Sequence, residues 1–219
     1  MRSARTKICG ITREEDLTVA MDAGADAIGF LVGVPSSPRN LTLERAETLL
    51  DQVPIFIDSI VVTAPKSIEW LVEIYDRLKP SGIQIHGKEE LDSSIIHEKI
   101  GNVNLIKTVY VTEDTLNEAV IEDLKTFDAV LLDSFSKGQY GGTGKVHDWI
   151  LSRKIKQAVA PIPVILAGGL NPENVKEAIL AVEPYAVDVA SGVEANPGIK
   201  DHSKVRAFVK NAKQIKLHN

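Results

Sequence analysis

The chain has 219 residues, 44% hydrophobic and 25% charged, which is ample for one sizeable core. Its 30 acidic and 25 basic residues give a net charge of −5, and without a basic stripe this argues against a nucleic-acid or anionic-membrane surface. One cysteine excludes an internal disulfide and any cysteine-based zinc site, and fits a reducing compartment.

Met1-Arg2-Ser3-Ala4-Arg5 carries charge but no apolar run follows, so no signal peptide is expected. No apolar stretch approaches the roughly 18 residues a membrane helix needs. The simple expectation is a soluble cytoplasmic protein. Its elements alternate from end to end. Short aliphatic or β-branched runs predict strands at 6–9, 27–31, 57–62, 82–86, 105–109, 129–133, 164–167 and 186–189. Three- and four-residue apolar spacing predicts helices between them. These are marked by Leu17/Ala20/Met21, Leu43/Ala46/Leu49/Leu50, Ile68/Leu71/Val72/Tyr75/Leu78, Leu91/Ile95/Ile96, Leu116/Ala119/Val120, Ile150/Leu151/Ile155, Val175/Ala178/Ile179/Val182 and Val205/Phe208/Val209. Thr12 three residues before Glu15 predicts a capping box on the first helix. Asn171-Pro172, Asp148 and Asp201 are further expected starts, and Gly24 and Lys79-Pro80 expected stops.

Eight strands alternating with eight helices predict an α/β fold, a single (β/α)8 TIM barrel spanning residues 1–219. A doubly wound sheet usually has fewer strands and a GxGxxG after the first, which is absent here. In a barrel every strand-to-helix loop faces one mouth, so residues scattered along the chain become one site.

Cys9 ends the first strand, on the edge where such folds do chemistry, although a lone cysteine also reads as a small buried hydrophobe. Arg39, in Ser36-Ser37-Pro38-Arg39-Asn40 after the second strand, suits a carboxylate or a phosphate, or is an exposed loop arginine. His86 ends the fourth strand, either pointing into the mouth or hydrogen-bonded structurally. Asp133 follows four apolar residues at the tip of the sixth strand, a place for a general acid or for a turn-capping aspartate. The glycine-rich stretch Tyr140–Lys145 in the same loop looks able to fold over a ligand, and is not a Walker loop because Val146 follows Lys145. Gly168-Gly169 and Ser191-Gly192, after the seventh and eighth strands, occupy the usual phosphate grip of such barrels. His97, His147, His202 and His218 show no shared ligand spacing, so no metal is inferred. Trp70 and Trp149 read as packing.

The ordered motifs Lys7-Ile8-Cys9-Gly10-Ile11-Thr12, Ser37-Pro38-Arg39, Gln84-Ile85-His86-Gly87, Leu131-Leu132-Asp133, Tyr140-Gly141-Gly142-Thr143-Gly144-Lys145, Ala167-Gly168-Gly169-Leu170-Asn171-Pro172 and Asp188-Val189-Ala190-Ser191-Gly192-Val193-Glu194 resemble the phosphoribosylanthranilate isomerases of tryptophan biosynthesis over nearly the whole chain. The resemblance implies a cofactor-free Amadori rearrangement of a small phosphosugar, with Asp133 as general acid and Cys9 as general base. It further implies that Arg39 holds the substrate carboxylate. Gly168, Gly169, Ser191 and Gly192 would hold the phosphate, with Asp188 and His86 supporting. The site is expected to favour the Cys9 thiolate through nearby helix N-termini. Ala190 stands where the family usually has serine, and Gly33-Val34-Pro35 where an aromatic is frequent. A related phosphosugar isomerase, such as a dual enzyme of histidine and tryptophan synthesis, and a non-catalytic phosphate-binding barrel are the alternatives. Monomer and homodimer are both compatible with the sequence.

Overall fold

The computed structural model describes residues 2–87, 91–101, 103–134 and 148–217. Eight parallel strands form the frame: β1 (Arg5–Cys9), β2 (Ala27–Val32), β3 (Asp58–Thr63), β4 (Gly82–Ile85), β5 (Asn104–Tyr110), β6 (Ala129–Asp133), β7 (Val164–Leu166) and β8 (Ala186–Val189). Each pairs with its sequence neighbour, and β1 pairs with both β2 (Cys9 opposite Gly29) and β8 (Lys7 opposite Asp188), so the sheet closes. Helices α1 (Glu14–Asp22), α2 (Leu43–Leu50), α3 (Ile68–Leu78), α4 (Ser93–Ile100), α5 (Glu118–Leu124), α6 (Trp149–Ala158), α7 (Val175–Val182) and α8 (His202–Gln214) follow the strands in turn. The expected (β/α)8 barrel is therefore the fold.

Most of the apolar faces read from spacing become the layer between barrel and helices, while Ile95 and Ile150, expected on them, face water. Leu17, Ala20, Leu49, Leu71, Ile74, Ala178, Ile179, Val205 and Phe208 are all fully buried there. A smaller cluster fills the barrel itself, made by Ile60, Ile106, Leu131, Ile165, Ala167 and Ala186. The alternation of β-strand side chains sends one set to each layer.

Several local expectations need correction. Thr12 does not cap α1; its hydroxyl donates to the Gly198 carbonyl (2.6 Å), and Arg13 occupies the cap position with no side-chain capping bond. Asn171 accepts from the Glu173 and Asn174 amides in a turn, and α7 proper begins only at Val175. Before α5, a 3-10 turn at Glu113–Leu116 and an Asn117 cap rephase the helix. Its buried face is then Ile121 and Leu124, while Leu116 and Val120 face water. Asp148 and Asp201 do cap α6 and α8, each accepting two backbone amides. Lys79, just before Pro80, ends α3 in the left-handed conformation. Ile55 and Phe56, on the loop entering β3, form a solvent-facing apolar pair.

Two short pairings lie outside the sequence expectation. Residues Asn40–Leu41 add a parallel bridge beside β2. After β8 a hairpin joins Glu194–Asn196 to Ile199–Lys200, with Glu194 opposite Lys200.

Candidate active site

At the C-terminal end of the strands lies a cavity of about 80 Å³. Its walls include Cys9 from β1, Arg39 after β2, His86 after β4 and Asp133 from β6. Gly168 and Gly169 after β7, Asp188 from β8, and Ser191 and Gly192 after β8 complete it. All of the site residues expected from the sequence thus meet in one place. The stretch Tyr140–Lys145, expected to fold over the mouth, lies outside the described residues, as do His147 and His218.

Asp133 is held at its strand tip by accepting the Ser134 amide (2.7 Å). Burial raises its pKa to about 6; the negative Asp188 adds to the rise, while the Ser134 amide and Lys7 oppose it. Gly168 makes room for this carboxyl. Its φ is +75°, and a Cβ there would lie 2.4 Å from the Ser134 nitrogen and 2.8 Å from Asp133 Oδ1. Cys9 is 6% exposed. Burial pushes its thiol pKa up, against the pull of Lys7 and then Lys200. The expected thiolate preference is therefore not what these surroundings give. The groups that favour the thiolate are two buried ammoniums rather than helix ends.

Beneath the cavity a polar layer crosses the barrel. Lys7 Nζ donates to Asp188 Oδ1 and Gln84 Oε1, both at 2.9 Å. Burial opposes the Lys7 charge, but Asp188 and Cys9 outweigh it, and its pKa ends above the ordinary lysine value. Because an ammonium only donates, Gln84 must turn its oxygen to Lys7 and its amide nitrogen to Thr108 Oγ1 (3.1 Å) and His86 Nε2 (2.8 Å). His86 Nε2 then accepts, and the ring proton sits on Nδ1. Burial, with a contribution from Lys7, lowers the His86 pKa to about 4, so the ring is neutral at pH 7. His86 is thus both things the sequence left open: it faces the mouth and it is hydrogen-bonded.

Arg39 is held by Glu194 and is not the exposed loop arginine that the sequence left open. Its Nε donates to Oε1 (2.7 Å) and its Nη2 to Oε2 (2.6 Å). The pair is largely buried, and Arg39 with Lys200 keeps the Glu194 carboxyl below the usual range despite its burial. The second edge of the guanidinium fork, Nη1 with Nη2, is the one a substrate carboxylate can address. The arginine stem passes over Gly10 (φ +76°), where a Cβ would meet Arg39 Cδ at 2.5 Å. Under the same loop stands Trp70. Its indole N–H donates to Thr63 Oγ1 (3.0 Å), and its ring lies where a Cβ on Gly33 would fall, 2.9 Å away. Trp70 is packing, as expected, with a polar anchor.

Sequence reading missed four participants: Lys7, Gln84, Glu194 and Lys200. Lys7 carried a signal, since it lies two residues before Cys9 on a strand and so on the same face. Lys200 carried none; it meets Cys9 across 191 residues of chain. Among the described residues no cluster of three or more His, Cys, Asp or Glu gathers for a metal, and no helix is long and apolar enough to cross a membrane.

A profile of the N-(5'-phosphoribosyl)anthranilate (PRA) isomerase family matches residues 6–211. The chain belongs to this family. The N-(5'-phosphoribosyl)anthranilate isomerase of Haloarcula marismortui is 43% identical over 213 residues, covering 96% of each chain. The phosphoribosylanthranilate isomerase of Thermotoga maritima superposes with a TM-score of 0.84 at 37% identity, covering 97% of this chain and all of that one. A phosphoribosylanthranilate isomerase in complex with reduced 1-(o-carboxyphenylamino)-1-deoxyribulose 5-phosphate gives 0.80 at 35% identity, with 97% and 100% coverage. The solved relatives thus extend to one holding a phosphosugar analogue.

Proposed function

We propose that this isomerase converts N-(5'-phosphoribosyl)anthranilate to 1-(2-carboxyphenylamino)-1-deoxyribulose 5-phosphate, an Amadori rearrangement of tryptophan biosynthesis in the cytoplasm. The observation that carries the reading is the convergence of Asp133, Cys9 and Arg39 on one cavity rimmed by the loops after β7 and β8. Asp133 protonates the furanose ring oxygen, and the ring opens to a Schiff base. Cys9 thiolate removes the proton on C2, and the resulting enolamine relaxes to the ketone. No electrons leave the substrate, so no cofactor is required. Arg39 takes the anthranilate carboxylate, and the glycine loops with Ser191 take the phosphate through backbone N–H groups and a hydroxyl. Asp188 and His86 order the centre through Lys7 and Gln84.

The pKa directions set the pH behaviour. The reaction needs Asp133 protonated and Cys9 ionised, yet Asp133 titrates at about 6 and the thiol above its ordinary value. The productive pair is then a minor ionic state whose population is constant between the two pKa values. Turnover, followed as loss of substrate fluorescence, should give a kcat/KM that rises towards pH 6, levels, and falls on the alkaline side. Cys9→Ala and Asp133→Asn should each lose about 100- to 10,000-fold in kcat/KM. Residual activity of Asp133→Asn should keep rising through pH 6, since only the base remains. Residual activity of Cys9→Ala should fall above pH 6. Unchanged turnover in both variants would sink the mechanism. An inactive wild type that still binds phosphosugar would point to a related substrate or a binding barrel.

A further inference from the structure

The reaction gives no role to the buried ammonium of Lys200. Its side chain is 0% exposed. Three acceptors surround it: the Cys9 carbonyl (2.7 Å), the Ala190 carbonyl (3.0 Å) and Glu194 Oε1 (2.9 Å). An ammonium has three N–H bonds, so its donor capacity matches these acceptors. Each acceptor belongs to a different part of the site. Cys9 carries the thiol, Ala190 precedes the Ser191-Gly192 phosphate loop, and Glu194 holds Arg39 by a two-point ion pair. The backbone of Lys200 is itself fixed, since its amide donates to the buried Asp16 carboxylate (3.0 Å).

We propose that Lys200 is a positioning residue that ties the base, the phosphate loop and, through Glu194, the carboxylate-binding arginine to a single buried cation. The assignment of those three parts rests on the function proposed above. Cys9 and Ala190 stand at and just beyond the C-terminal ends of adjacent strands, where the sheet ladder stops constraining the backbone. A shared cation fixes the spacing between their carbonyls at that point. The same cation gives the local cluster its sign. Arg39 and Lys200 against one Glu194 leave a net single positive charge in a buried place, complementary to an anionic substrate. Burial lowers the Lys200 pKa, against the pull of Glu194 and then Cys9, and the ammonium in turn favours the Cys9 thiolate.

The test uses the intact enzyme with Lys200→Met and Glu194→Gln. Lys200→Met leaves Glu194 paired with Arg39, so no buried charge is stranded. Two quantities are read in each variant: kinetic constants, and the pH midpoint of the thiolate's ultraviolet absorbance, taken as the difference from the matching Cys9→Ala protein so that the four tyrosines cancel and the only cysteine remains. Lys200→Met should lower kcat/KM by about 100-fold, mostly in kcat, as a displaced reacting group does. Its thiol midpoint should move to higher pH. Glu194→Gln leaves Lys200 and Arg39 uncompensated, so its thiol midpoint should move to lower pH while KM rises. Opposite movements of the midpoint are what a merely structural lysine would not produce. A Lys200→Met protein with unchanged kcat/KM and midpoint overturns the proposal, whatever its melting temperature. If Lys200→Met does not fold, an unmoved or raised midpoint in Glu194→Gln overturns it instead. Should wild type fail to turn over phosphoribosylanthranilate, the function above falls, and the opposed midpoints still decide the role of Lys200.

Discussion

The two ends of the barrel are built from the same strands and are chemically opposite. The N-terminal end encloses the larger cavity, about 210 Å³ against about 80 Å³. Its floor is Ala27, Ile60, Ile106, Ala129, Ile165 and Ala186. The charged groups on its rim have local partners: Arg5 pairs with Asp58, Asp26 with Lys213, and Asp128 accepts the Leu105 amide. The smaller C-terminal cavity gathers the thiol, a carboxyl raised to about 6 and a histidine lowered to about 4. Lys7 lines the first cavity while its partners Gln84 and Asp188 line the second, so their polar layer is the partition. Cavity size follows where small side chains leave space. Chemistry follows where ionisable groups are held away from water.

Breaking the partition should have the largest effect. Lys7→Met strands the buried Asp188 carboxylate, and the expected loss of stability is about 3–5 kcal/mol, measured by urea unfolding at pH 7. Replacing both partners, as Lys7→Met with Asp188→Leu, should restore much of that stability without restoring turnover.

Next is a gain. The folded-state pKa of Asp133 lies near 6, above the unfolded value of about 3.8. The folded protein therefore holds a proton that the unfolded chain releases between those values, and stability falls as pH rises through that window. By neutral pH the loss is about 3 kcal/mol, at about 1.4 kcal/mol per pKa unit. Asp133→Asn keeps the oxygen that accepts the Ser134 amide and removes this cost. It should be more stable than wild type by up to about 3 kcal/mol at pH 7, and the gap should close below pH 4. An inactive variant that melts higher is the signature of a strained catalytic group.

At the opposite mouth Ile106→Val should cost only about 1 kcal/mol, the usual consequence of removing one buried methyl group. Its kcat/KM should match wild type. A change in turnover there would show that the partition does not insulate the two ends.

The comparison also explains what could be read from the sequence. Cys9, Arg39, Asp133 and the two glycine loops were legible because strand periodicity and barrel topology send each strand-to-helix junction to one mouth. The residues that hold them were not. Glu194 reaches Arg39 across 155 positions, and nothing in the local spacing of either names the other. The thiol was misjudged for a related reason. Its ionisation depends on burial and on Lys7 and Lys200, and burial is a property of the assembled barrel. Local rephasing defeated the reading of α5, where one 3-10 turn and an Asn117 cap moved the apolar face from Leu116 and Val120 to Ile121 and Leu124.

Trp70 stands beneath the Arg39 loop, its ring against Gly33 and its N–H anchored on Thr63. The position makes the indole an intrinsic optical gauge of that loop. On the proposal that Arg39 takes the substrate carboxylate, ligand capture should shift this loop and, with it, the emission colour of the ring. Capture of ligand can then be timed in a stopped-flow mixer on an unlabelled Trp149→Phe protein, in which Trp70 is the one remaining indole, separately from the chemistry that follows.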